Sequence, residues 1–281
     1  MPSLPDIMTP NAEELDRQDG GKGGHAPAPD ADQDAFFEFL LRMGDNALIL
    51  GHRNSEWCGH GPQLEEDIAV SNIALDLIGQ TAMWLELAAE VEGQGRSADD
   101  LAYLRDVWDF RNVKLVERPN GDFGNTLMRQ FLFDAFHFHQ LTALTGSSDA
   151  RVAEIAAKSL KEVSYHLERS AGQVIALGDG TDESRRRMQA SLDDQWSYAL
   201  ELFESDDTDR KMAEAGIAPD PADLRGTWDE TVHAVMEEAT LEIPDTDFAH
   251  KGGKQGTHTE HLGYILAEMQ FLQRAYPGAE W

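Results

Sequence analysis

Between Gln63 and Gly93 the chain carries its longest helical pattern. Leu64, Ile68, Leu75, Ile78, Ala82, Leu85 and Ala89 follow one another at three-, four- or seven-residue steps, so they share one face of an α-helix. Val70, Ile73, Leu77, Trp84, Ala88 and Val91 widen that stripe beyond the arc a surface helix buries. A helix apolar over so much of its circumference is predicted to lie among other helices. Asn72, Asp76 and Gln80 cross it as one polar line at four-residue steps. Polar groups in a bundle core must be hydrogen-bonded or bind something.

The same periodicity predicts helices over Ala35–Leu50, Ser97–Phe110, Phe123–Leu144, Ser148–Leu177, Thr181–Glu204, Pro221–Leu241 and His258–Ala275. Ser97 followed by Asp99 and Asp100, and Thr181 followed by Glu183, read as helix starts; Gly178 reads as a stop, and Arg118–Gly121 (RPNG) as a turn. The one extended piece expected is a short run at Val113–Val116. Residues 1–32 are Gly/Pro-rich and acidic with nothing to bury, which predicts a disordered tail. Residues 33–281 show no repeat and no linker and read as a single helical domain. The fold class is all-α: a four-helix bundle with additional C-terminal helices.

Acidic side chains number 52 against 23 basic, a formal net charge of −29. A nucleic acid would be repelled. Two readings of the acid fit: adaptation of the whole surface to a salty cytoplasm, or a patch that meets a basic partner. Its spread along the chain, from Glu65–Asp67 through Asp193–Asp194 to Asp245–Asp247, favours the first. The single cysteine, Cys58, excludes an intrachain disulfide and suits the cytoplasm. No run of about 18 apolar residues offers a membrane span, and the N-terminus lacks the apolar core of a secretory signal.

Bundles that hold two metal ions use a Glu from each of two helices and Glu-x-x-His from each of the other two. The closest match here is Asp134-x-x-His137. Glu162 and His166 are four apart, Val163 stands three before His166, and Leu77 stands three before Gln80. The alternative is that Asp134, Gln80 and His166 are ordinary buried hydrogen-bonding groups. His258-Thr-Glu-His261 also has metal-ligand spacing, against a plain helix-capping reading. The loop Lys251-Gly-Gly-Lys254-Gln-Gly256 offers free amides and two lysines for an anion or a partner's carboxylate, against a plain loop.

Several stretches, in order, resemble one family: LGHRNSEWCGHGP, LEEDIAVSNIALDLIGQ, ERPNGDF, LFDAFH, KEVSYHL and GGKQGTHTEHLGYILAEMQFLQR. Spanning about Phe36 to Trp281, they resemble the C-subunit family of the multicomponent phenylacetyl-CoA 1,2-epoxidase. The resemblance implies a ferritin-like fold and a structural, non-catalytic subunit. A related catalytic subunit holds the di-iron centre and the coenzyme A ester, and a reductase subunit supplies electrons from NADPH. The complex adds one atom of O₂ to the aromatic ring in aerobic phenylacetate degradation. The resemblance further implies vestigial metal-site positions. Leu77-Ile-Gly-Gln80 and Val163-Ser-Tyr-His166 stand where the catalytic subunit has Glu-x-x-His. Asp134 stands near the third-helix ligand position, and the first-helix position falls between Asp45 and Leu50. No metal or cofactor is then expected in this chain.

The expected partners are the catalytic di-iron subunit and the other epoxidase subunits, with a homodimer as an alternative arrangement. Gly79 is read as a point of close helix approach. Two rivals stay open: an active di-metal oxygenase built from Asp134, His137, His166 and Glu66, and a free-standing homo-oligomeric binding protein.

Overall fold

The computed structural model describes residues 32–279, so the expected tail lies, but for Asp32, outside the described residues. Helix α1 (Gln33–Ser55) starts where the Asp32 carboxylate accepts the Ala35 amide at 3.0 Å. A turn through Gly59, at φ 81°, reverses the chain into α2 (Leu64–Glu92), which ends on Gly93 at φ 67°. α1 and α2 pack antiparallel along most of their length. Gly51 permits this: a Cβ there would sit 3.3 Å from the Ala74 carbonyl oxygen.

Short elements follow. These are α3 (Ala98–Tyr103) with a Ser97/Asp100 capping box, a 3₁₀ turn Val107–Asp109, and α4 (Lys114–Glu117). α4 replaces the extended piece expected at Val113–Val116. Val113, Leu115 and Val116 are all buried, and Pro119 limits the helix to one turn. The second hairpin is α5 (Phe123–Leu144) and α6 (Ala150–Gly178), the latter capped by Asp149. α2 and α6 lie against each other and close a four-helix bundle.

α7 (Asp182–Ala199) covers α5 and continues as a 3₁₀ turn, Leu200–Phe203. α8 (Asp207–Glu214), unforeseen from periodicity because it is short and polar, is nucleated by an Asp206/Asp209 capping box. A 3₁₀ turn at Pro221–Leu224 leads into α9 (Arg225–Glu238). Trp228 locks α9 onto the bundle: its indole donates to the Leu132 carbonyl at 3.0 Å and packs on Trp196 and Phe203. The last expected helix is split into α10 (Glu260–Met269) and α11 (Phe271–Ala275). One hydrophobic cluster runs from Ala35 to Leu266.

α2 departs from expectation in which face it buries. Ile73, Leu77, Trp84 and Ala88 are inside, whereas Leu64, Ile68 and Leu75 of the stripe with the best spacing are 71 %, 51 % and 69 % exposed. Because the helix is apolar all round, periodicity cannot choose its inner side. By length and composition α2 is apolar enough to cross a membrane, with Asp76 as its one charge between Ile68 and Leu85. Its inner face is instead core of the bundle. The polar line also turns: Asn72 is exposed, Asp76 half-buried and Gln80 fully buried. A four-residue step overshoots a 3.6-residue turn by about 40°, so the line winds from solvent into the core.

Candidate functional site

α2, α5 and α6 bring Leu77, Gln80, Asp134, Val163 and His166 into the bundle interior, all essentially without solvent contact. Leu77 and Val163 pack as core residues, each contributing roughly 2 kcal/mol through burial. Gln80 Nε2 donates to Glu162 Oε2 at 2.9 Å, so the mis-spaced carboxylate of α6 meets an amide. His166 Nε2 is hydrogen-bonded to Asp76 Oδ2 at 3.0 Å.

Asp134 has both oxygens engaged. Gln130 Nε2 donates to Oδ1 at 2.6 Å and Ser170 Oγ donates to Oδ2 at 2.8 Å. Gln130 in turn accepts from Asn54 Nδ2 at 2.7 Å, and Arg129 reaches Asn54, Asn120 and the Arg118 carbonyl. This chain of amides, unseen at the sequence level, ties the RPNG turn to the bundle core. Its signal was the four-residue spacing of Gln130 and Asp134 on one helix face.

The electrostatics follow from burial. Desolvation raises the Asp134 carboxyl pKa to about 6, against opposing help from His166 and its two hydrogen bonds. Desolvation, then the nearby His166, lower His137 to about 3, so its imidazole is neutral at pH 7. Burial likewise brings Arg129 down to about 9.

These groups do not fit a di-metal centre. Such a centre needs carboxylates with free lone pairs converging on two cations. Here Glu162, Asp76 and Asp134 each face a separate protein donor. Among the described residues no three His, Cys, Asp or Glu side chains converge in ligand geometry. Asp45, the one carboxylate between residues 45 and 50, is buried against Arg105 and accepts the Arg111 amide at 2.8 Å. Glu66 binds Arg169 and Gln173, about 15 Å along the helix axis from Asp76.

The C-terminal loop binds its own chain. Lys254 is buried against Asp209 at 2.7 Å, and Lys251 pairs with Glu204 at 2.7 Å. The Gly253 amide donates to Glu201 Oε1 at 2.7 Å and the Lys114 amide to Glu201 Oε2 at 2.7 Å. The carboxylate this loop cradles is therefore internal; burial holds Glu201 above its ordinary pKa while the two amides oppose the rise. His258 and Glu260 part company at the start of α10. His258 lies inside beside Glu117, with 3.6 Å from Nδ1 to Oε2, while Glu260 is exposed and Thr259 caps the helix.

The family model described as phenylacetic acid catabolic protein matches residues 23–281. The chain is also 48 % identical, over 243 residues, to the C-subunit of 1,2-phenylacetyl-CoA epoxidase from Escherichia coli (strain K12). That likeness covers 86 % of this chain and 98 % of the relative. The bundle is thus the ferritin-like fold that the sequence resemblance implied. The chain belongs to the phenylacetic acid catabolic protein family.

Proposed function

We propose that this chain is the structural, non-catalytic subunit of a phenylacetyl-CoA 1,2-epoxidase. It holds a di-iron catalytic subunit in place for aerobic phenylacetate degradation in the cytoplasm. The observation that carries the reading is the arrangement around Gln80 and Asp134. Leu77 and Val163, at the positions where the resemblance implies Glu in the catalytic subunit, are packed aliphatics, and the remaining carboxylates are bound to amides, a hydroxyl and an imidazole.

The contact with the catalytic subunit is assigned to the outer stripe of α2. Leu64, Ile68 and Leu75 are exposed there, and Gly79 continues the stripe with nothing within 4 Å of the position a Cβ would take. A bare backbone beside exposed Leu side chains suits the close approach of a partner helix. Gly79→Leu and Leu75→Asp are therefore expected to weaken co-purification with the catalytic subunit at least ~10-fold. Retention of a full-affinity complex by both variants counts against the assignment. Failure of the wild-type chain ever to bind its catalytic partner counts against the function itself.

A further inference from the structure

Lys254 borders a cavity of about 30 Å³ that lies between α1, α5, α8 and the C-terminal loop. Arg42, Asn46, Gln140, Asp209 and Lys254 supply its polar walls, and every other residue lining it is apolar. None of the vestigial metal-site positions touches it. The charged walls lie inside the protein: the Arg42, Asp209 and Lys254 side chains are each 7 % exposed.

The donors here outnumber their partners. The Lys254 ammonium has three N–H groups. One donates to Asp209 Oδ2 at 2.7 Å and one to the Glu204 carbonyl; the third has no acceptor among the described residues. Asn46 Oδ1 accepts the Val113 amide at 2.9 Å, and its Nδ2 donates to nothing among the described residues. Arg42 donates through Nη1 and Nη2 to Asp206 at 3.0 and 2.7 Å, and its Nη1 stands 3.2 Å from Asp209 Oδ1. Its buried Nε has no hydrogen-bond partner among the described residues, with Glu38 Oε1 3.5 Å away. A buried N–H without an acceptor is costly, so such groups are normally met by protein or by ordered water.

Size and charge decide what meets them. The cavity has room for about one water, which needs two to four polar partners, and is too small for a phosphate or a carboxylate. Arg42 and Lys254 already face Asp206 and Asp209, so a halide ion would enter a cluster with no cation to spare. We propose that this cavity binds one ordered water. The water accepts a hydrogen bond from Lys254 Nζ and returns one to the Asp209 carboxylate, with the Asn46 and Gln140 amides beside it. It joins α1, α5 and α8 to the loop and holds residues 251–256 in place through Lys254.

The test is a crystal structure of the full chain at a resolution that shows ordered solvent, from crystals grown in potassium bromide and measured at the bromine absorption edge. One peak within hydrogen-bond distance of Lys254 Nζ, without anomalous signal, is expected. A dry cavity overturns the proposal. So does an anomalous bromide peak, because the site then takes anions. Lys254→Met keeps the stem, removes the donors and leaves Arg42 on Asp209. It is expected to lose the peak and to speed hydrogen exchange of the Gly253, Gln255 and Gly256 amides at least ~10-fold. Persistence of the peak, or unchanged exchange, in this variant overturns the proposal. If the variant does not fold, the wild-type crystals decide alone.

Discussion

Asp134 sits wholly inside the bundle with an acid pKa near 6, against an ordinary value of 3.8. Its folded-state pKa is raised, so its contribution to stability is fully present below pH 3.8 and is lost as the pH rises through about 6. Above that, an ionised carboxylate is held by one amide and one hydroxyl donor. Asp134→Asn removes this penalty and keeps the shape. The variant is expected to gain stability relative to wild type between about pH 4.5 and pH 7.5, by on the order of 2 kcal/mol. Urea unfolding at the two pH values measures it. His137, whose depressed pKa acts in the opposite sense, is present in both chains and cancels in the difference. An equal stability difference at both pH values would mean that Asp134 does not titrate in this range.

Among the elements, α2 separates what the chain discloses from what it conceals. Its existence and length were legible because the apolar steps persist over many turns, and α5 was legible from Phe123 to Leu144 for the same reason. Its orientation was not, since Leu75 and Leu77 are equally apolar and only packing against α1 and α6 makes Leu77 the buried one. The site shows the same limit. Sequence spacing found Gln80, Glu162, Asp134 and His166, but which donor meets which acceptor depends on how α2 and α6 lie side by side. The Lys251–Gly256 loop looked like an anion receptor because its amides and lysines are visible in sequence, whereas Glu201 and Asp209, which occupy them, come from elsewhere in the chain. α2 also allows docking to be told apart from folding. Gly79→Leu in an exposed helix interior should raise the stability of the isolated chain by about 0.5–1 kcal/mol while it weakens the complex.

For the whole molecule, the acidic surface and the subunit role meet in one question of salt. We propose that the charge is a salt adaptation, since screening at about 1 M salt shortens self-repulsion to roughly 3 Å. The thermal midpoint of the isolated chain is then expected to rise with KCl up to about 2 M; unfolding promoted by KCl would contradict it. We propose, more narrowly, that the bundle keeps its fold but does not hold the metal. The direct measurement is the metal content of the purified chain after incubation with ferrous iron, alongside its co-elution with the catalytic subunit. No stoichiometric metal and a tight complex are the expected result. About two metal ions bound per chain would contradict it and move the active site to Asp134, His137 and His166.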